Sequence, residues 1–272
     1  MRWYGWTVSG MLVLLALSAA PAAASPQADR AQAYYRFLLA RHLEAQGEAD
    51  RAATELREAA KLDPGAAEIR AELAALYARQ DQPREAAQWG SAALEIDPSN
   101  REAHRVLGFV AAGQVGLDTS VRLTDAGGLA AAVRAIDHLE AARRTDRLAD
   151  LAIELTLARL YLRTGVPGKA VPVLQRVLLS DPDRPTVVLM LAEAYEASGQ
   201  LEEAAAGFRR ATQQRPRDSD LHQRLGDVLF RLGRYREAVS AWQRALSGDL
   251  PPAEREGIER KIRTARELEP ER

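Results

Sequence analysis

Cysteine is absent from all 272 residues. That removes disulfide staples, thiol nucleophiles, Cys-ligated zinc and the lipid-modified cysteine of a bacterial lipoprotein, and leaves the redox compartment undecided. Lysine is nearly missing too. Lys61, Lys169 and Lys261 are the only three, and the other basic side chains are arginines, a bias that a GC-rich genome produces without selection for forked anion recognition. Net charge is almost nil, with 37 basic residues against 38 acidic ones and a formal value of −1. No global field therefore favours nucleic acid or an acidic membrane surface, and nucleic acid is not an expected partner.

Catalytic constellations are lacking as well. His42, His104, His138 and His222 are dispersed, and none stands in HExxH or another metal-ligand spacing. The nearest approach to a cluster is Asp137-His138-Leu139-Glu140, but positions 137, 138 and 140 do not share one helical face, as expected of a solvated charged surface. Gly127-Gly128 follows no strand and makes no phosphate loop, and there is no Gly-x-Ser-x-Gly elbow. Acidic residues in the helical runs commonly have an arginine three or four positions away, the spacing of surface ion pairs. The expectation is a protein that is not an enzyme and holds neither metal nor cofactor.

What is present suffices for a packed fold. Apolar residues make up 47% and charged residues 28%, within the globular range and enough for one extended or two compact domains. After Arg2 no charge occurs until Asp29, and the densest apolar run is Met11 to Leu17, followed by Pro21 and the small residues Ala22-Ala23-Ala24-Ser25. A short positive start, an apolar segment and an Ala-x-Ala site are what a signal peptidase reads, so residues 1–24 are expected to be a cleaved signal peptide with Ala24 the last residue removed. The rival is an uncleaved anchor. Trp3 to Ala24 is long enough to span a bilayer, and Trp3, Tyr4 and Trp6 suit an interface, so membrane attachment through residues 3–24 stays open. Residues 25–32 are expected to be a linker.

From Ala33 onward a fixed period sets in. Gly165, Gly199 and Gly233 are each 34 residues apart, and Gly47 is followed 34 later by Asp81. The small residues Ala52, Ala86, Ala135, Ala170, Ala204 and Ala238 open the second member of each pair, at spacings of 34, 49, 35, 34 and 34. Pro64, Pro98, Pro182 and Pro216 close units, because proline cannot continue a helix interior. The clearest unit is Pro185 to Asp218. Leu189, Leu191, Ala192 and Tyr195 share one helical face, Ala204, Ala205, Phe208 and Ala211 share a second, and Gly199 stands between, where a helix end favours a left-handed residue.

These residues resemble the tetratricopeptide repeat, a two-helix unit that joins Leu-Gly/Ala, Tyr, Gly, Ala, Phe, Ala and Pro at fixed positions. The fifth unit matches throughout, with Leu191-Ala192, Tyr195, Gly199, Ala204, Phe208, Ala211 and Pro216. The first has Leu39-Ala40, Gly47, Ala52, Ala59 and Pro64, and the second Ala74, Tyr77, Ala86, Ala93 and Pro98. The fourth has Ala158, Tyr161, Gly165, Ala170 and Pro182, and the sixth Leu225-Gly226, Gly233, Ala238, Trp242 and Ala245. In the third, Leu107-Gly108 is in place, but Ala135, Leu139 and Ala142 come about 15 residues late.

The resemblance implies an all-α, right-handed α-solenoid of six helix-turn-helix repeats, at 33–66, 67–100, 101–150, 151–184, 185–218 and 219–252. Within the third, Gln114 to Gly128 reads as an insertion, expected to protrude at one edge of the stack as a surface loop or a partner contact. Residues 253–272 form a capping helix and tail, with Ile258, Ile262, Ala265 and Leu268 on its apolar face.

In this family the first helix of each unit lines a concave groove for a bound segment. Carried onto this chain, the groove positions are Tyr34, Phe37, Arg41, Arg79, Arg105, Phe109, Arg159, Leu162 and Arg163 in units one to four, and Leu189, Glu193, Glu196, Asp220, Asp227 and Phe230 in units five and six. Arginines crowd the first part and carboxylates the last, so an extended segment is expected to lie with its acidic or C-terminal end toward the arginines. The clamp of tetratricopeptide co-chaperones, a Lys and an Asn at set positions, is absent, since Phe37 and Arg41 stand there.

The expected function is a non-catalytic protein–protein scaffold or adaptor of the bacterial envelope, periplasmic or secreted. The alternative is a membrane-anchored organiser of an inner-membrane complex, such as cytochrome maturation or polysaccharide synthesis and export, with its repeats outside the cytoplasm. An intracellular regulator would require translation to start near Pro26.

Overall fold

The computed structural model describes residues 25–119, 122–143 and 150–269, so the signal or anchor segment expected at 1–24 lies outside the described residues. Among the described residues there are thirteen helices and no strand. They pair as α1 (Pro26–Ala45) with α2 (Ala49–Leu62), α3 (Ala67–Arg79) with α4 (Pro83–Ile96), and α5 (Arg101–Val115) with α6 (Ala126–Ala142). The series continues with α7 (Leu151–Arg163) and α8 (Pro167–Ser180), α9 (Pro185–Ala197) and α10 (Leu201–Gln214), α11 (Ser219–Arg231) and α12 (Tyr235–Leu246), and ends on α13 (Pro252–Glu267). Each first helix packs on its own partner, and each second helix on the next unit, so the chain is an α-solenoid of six helix pairs plus a terminal helix.

The inter-helix turns repeat the same hydrogen bonds. Glu48 N–H donates to Leu43 O, Gln82 to Tyr77, Val166 to Tyr161, Gln200 to Tyr195 and Arg234 to Leu229, each reaching five residues back to satisfy a carbonyl at the helix end. The residue before each donor must turn left-handed. Gly47, Gly165, Gly199 and Gly233 do so at φ 73° to 82°, and Asp81 takes the same position at φ 57°. Aspartate tolerates that region better than most side chains, which is why the period passes through a non-glycine residue there.

Unit ends follow a second rule. Asp63, Asp97, Asp181 and Arg215 cap α2, α4, α8 and α10 outside the helical region, at φ −124° to −142° and ψ 73° to 95°, because each precedes a proline that disfavours helical backbone on its neighbour.

Small residues set the helix spacing. Ala204 and Ala238 are fully buried. A Cβ on Gly108 would come within 2.6 Å of Leu139 Cγ, and one on Gly226 would overlap the Trp242 indole, so glycine at these sites admits the large residue of the partner helix.

Three expectations are corrected. Residues 25–32 are not a linker. Helix α1 begins at Pro26, and Ser25 caps it by accepting a hydrogen bond from Ala28 N–H at 3.2 Å. The insertion is shorter than expected, because α5 continues to Val115 and α6 starts at Ala126, where Asp125 accepts from Gly128 N–H at 2.6 Å. Gly127 and Gly128 thus lie in a helical first turn. Nor does the loop simply protrude. Leu117 and Leu123 pack against the central core, and Leu123 N–H donates to Arg163 O at 3.0 Å. Two leucines amid turn residues supply apolar area that is stabilised by burial, and this draws the loop onto α7.

Candidate interaction groove

The expected groove positions all stand on first helices, with Tyr34, Arg41, Arg79 and Asp220 exposed and most of the others partly buried, and most of their charge is already matched. Arg79 pairs with Glu44 at 2.6 Å and with Glu72 at 3.2 Å, and Arg41 reaches Glu72 at 3.8 Å, tying α1 to α3. Arg105 forks onto Glu102 from its own helix and lies over the Phe109 ring at 5.9 Å. In units five and six, Glu193 and Glu196 are met by Arg224, and Glu196 also by Arg231 at 3.4 Å. Lys261 of α13 grips both oxygens of Asp227 at 2.7 and 2.8 Å.

The contrast read from sequence, arginines first and carboxylates last, is therefore largely cancelled. The neutralising partners Glu72, Arg224 and Lys261 are the residues that sequence reasoning missed. Lys261 was findable, since it stands 34 residues after Asp227 and Asp227 stands 34 after Glu193. Burial alone would lower the pKa of Arg224, but its hydrogen bond to Glu193 and the charges of Glu193, Glu196 and Asp220 outweigh it and raise the value. Its guanidinium is thus committed to this pairing.

Two of the expected arginines part company. Arg163 is not a groove donor. It is only 7% exposed and donates to Gly116 O at 2.7 Å and to Val115 O, closing the C-terminal end of α5, where backbone carbonyls lack helical partners. Arg159, one turn earlier, forms no ion pair or hydrogen bond through its guanidinium among the described residues. It lines an open hollow of about 470 Å³ with Leu117, Thr119, Leu189, Met190 and Arg215. Glu193 borders the same hollow. Arg159, Leu189 and Glu193 thus border one hollow, with the insertion loop as a wall.

The remaining positions are dispersed along the array. Tyr34 is 63% exposed on α1, Phe37 and Leu162 are partly buried against core clusters, and Phe109 borders a separate hollow with Ala78, Pro83 and Gln114. Asp227 and Phe230 line a further hollow beside α13.

The histidines are less dispersed than the sequence implied. His104 Nδ1 and His138 Nδ1 lie 2.9 Å apart, and His104 Nε2 lies 2.9 Å from Pro98 O. Burial and the neighbouring His104 lower the pKa of His138. No group of three or more metal-ligating side chains occurs among the described residues, and among them no helix is long and apolar enough to cross a membrane.

Comparison with known proteins follows the helix pairs. A tetratricopeptide repeat family model matches residues 37–101 and 155–219, and a second tetratricopeptide repeat model matches 195–249. The unmatched stretch between them holds the insertion that breaks the 34-residue period. Solved structures of similar fold include YrrB, a TPR protein with an unusual peptide-binding site, at 18% identity and TM-score 0.58 over 78% of this chain and 97% of that one. Others are the C-terminal part of a TPR protein from Cytophaga hutchinsonii, at 15% identity and TM-score 0.53 over 83% of this chain and 87% of that one, and PilF of Pseudomonas aeruginosa, at 16% and 0.50 over 86% and 99%. No curated protein sequence matches the chain. With both repeat models in register with the helix pairs, and together spanning more than half of its length, the chain belongs to the tetratricopeptide repeat family, whose arrays serve as protein-interaction scaffolds.

Proposed function

We propose that the protein is a non-catalytic adaptor of the bacterial envelope that holds an extended segment of a partner protein along its first helices, with an acidic group of the segment at Arg159. The observation that carries this is the Arg159 guanidinium, which makes no ion pair or hydrogen bond among the described residues, in a hollow lined by the apolar Leu117, Leu189 and Met190 and by Asp118, Glu193 and Arg215. Elsewhere in the row an incoming carboxylate has to displace Glu44, Glu72 or Glu102 from an arginine. At Arg159 it gains a charge-assisted hydrogen bond without that loss, worth about 1.5–3 kcal/mol.

Capture from an envelope extract, followed by crosslinking through a photoreactive residue at Thr119, is the direct test. Arg159→Glu is expected to reduce capture about tenfold or more, while Arg231→Glu on α11 leaves the Thr119 crosslink in place. Undiminished capture by Arg159→Glu refutes the reading. Arg163 is unsuited to this test, because its replacement releases the loop rather than probing a ligand.

The envelope address rests on residues 1–24, whose order of one positive charge, apolar run, Pro21 and alanines is that of an exported leader. Cleavage after Ala24 would leave α1 whole, since Ser25 is its cap. Sequencing of the mature N-terminus is expected to read Ser25-Pro26-Gln27. Recovery of intact protein from the membrane fraction beginning at Met1 would instead favour an anchored organiser.

A further inference from the structure

Units three and six carry the same histidine in different surroundings. His104 and His222 each stand at the fourth place of a first helix, four residues before the glycine, Gly108 or Gly226, that admits a large residue of the partner helix. Both turn Nε2 to the carbonyl of the proline six residues back, Pro98 or Pro216, at 2.9 Å. A carbonyl oxygen only accepts, so Nε2 carries the proton and Nδ1 of the neutral ring is left as an acceptor.

In unit three that acceptor has a partner. His104 Nδ1 lies 2.9 Å from His138 Nδ1 of α6. The equivalent place on α12 is Ala241, three residues after Ala238 as His138 is three after Ala135. His222 is 5% exposed, and its Nδ1 has no hydrogen-bond partner among the described residues.

Where unit three has the His138 ring, unit six has a hollow of about 240 Å³, open between α10 and α12 over α11. Leu225, Leu229 and Ala241 give it apolar walls, and His222 and Thr212 border it as buried polar residues. Thr212 stands where unit three has Leu94, each four residues before the closing proline, so two positions have changed together toward an open, polar hollow. Arg209 and Glu237, also at its edge, pair with each other at 2.7 Å. The Arg244 guanidinium makes no ion pair or hydrogen bond among the described residues. Helices α11 and α12 are joined by a short turn and run antiparallel, which brings the last turn of α12, with Arg244, toward the first turn of α11, with His222. None of the residues bordering this hollow is a groove position.

We propose that the hollow is a binding site for a small organic acid whose ring carries an O–H or N–H. The ring takes the place that His138 fills in unit three, its donor meets His222 Nδ1, and its carboxylate is held at Arg244. A buried acceptor without a partner is costly, and a ligand that supplies the donor removes that cost. Arginine presents a fork of donors suited to a carboxylate. At about 240 Å³ the hollow is smaller than the roughly 300–1,000 Å³ of pockets for drug-sized ligands, so it suits one ring with a short acid arm. The site stands on its own geometry and does not require the Arg159 reading.

The test titrates 4-hydroxyphenylacetate into the whole protein and follows binding by ligand-observed NMR. Binding is expected to weaken about tenfold or more in Ala241→His, which puts a ring of the chain's own in the hollow as in unit three, and in Arg244→Gln, with Arg159→Glu unchanged. Phenylacetate, which lacks the O–H, and 4-hydroxyphenylacetamide, which lacks the charge, are each expected to bind about tenfold more weakly. Ala241→His is expected to unfold at no lower urea concentration than the parent, because its imidazole partners His222, and Arg244 is exposed, so its replacement leaves the core intact. No binding at millimolar probe, or equal binding of phenylacetate, overturns the proposal. Weakening by only one of the two hollow variants shows a contact with the arginine alone or with the apolar wall alone, and overturns it as stated. Loss in Arg159→Glu alone places the probe in the other hollow, overturning this proposal and leaving the groove reading intact.

Discussion

Phe208→Ala is expected to lower the unfolding free energy by about 3–5 kcal/mol. The ring is fully buried on α10 and packs in the cluster that joins Ala192 of α9 to Leu225 and Val228 of α11. Neighbouring positions there are already small, with Ala204 and Ala205 fully buried, so little side-chain mass is available to collapse into the void. The Arg224 guanidinium lies 4.9 Å from the ring centroid, and that attraction is lost as well, worth about 0.5–1 kcal/mol at a partly exposed site.

Because each unit of a solenoid touches only its neighbours, the damage should be local in origin. Urea denaturation is expected to split into two transitions, units five and six with α13 melting first. Hydrogen exchange should rise in α9 to α13 while α1 to α4 keep their protection. A single transition shifted by less than about 1 kcal/mol would contradict the picture of Phe208 as the fifth unit's keystone.

Glu154→Ala is expected to cost about 3 kcal/mol. Only 1% exposed on α7, Glu154 accepts from Arg143 Nε and Nη2 of the α6 C-cap at 3.2 and 3.3 Å, and from Arg176 of α8. Removing one partner from a buried ion pair costs about 3–5 kcal/mol because the remaining charge is stranded. Here the figure lies at the lower end, since the two arginines are 24% and 36% exposed and water can reach them. The location amplifies the consequence. Helices α6 and α7 share less contact than other consecutive helices of the array, so this carboxylate is a principal tie across the junction between units three and four. Glu154→Gln keeps the acceptor and is expected to lose less. Equilibrium urea melts of the two variants, with exchange measured in α6 and α7, check the claim, and equal stability of both with the parent would refute it.

How far the sequence leads can be judged residue by residue. Gly47, Asp81, Gly165, Gly199 and Gly233 mark turns of one geometry, and the period located them because that geometry needs a left-handed residue at a fixed distance from the helix end. Ala204, Ala238 and Gly226 mark close helix contacts for a similar reason. The start of α1 was misplaced because Ser25-Pro26 reads equally as linker or as cap and first turn. The loop was misread because turn residues report local backbone, whereas the seating of Leu117 and Leu123 depends on α7 (Leu151–Arg163), whose Arg163 O accepts from Leu123 N–H far along the chain.

Arg159 and Arg163 make the same point about function. They are alike in type, share α7 and were both assigned to the groove, yet one is a structural clamp on the end of α5 and the other borders an open hollow and makes no ion pair among the described residues. By itself the sequence determined the all-α repeat, its register and its turns, because these follow from contacts within one unit or between neighbouring units of like pattern. Only the tertiary structure decided which charges are already spent, where the inserted loop lies and which hollows remain open. Those depend on side chains some 30 residues apart meeting in space, where a pairing such as Lys261 with Asp227 can neutralise a charge that the sequence alone leaves exposed.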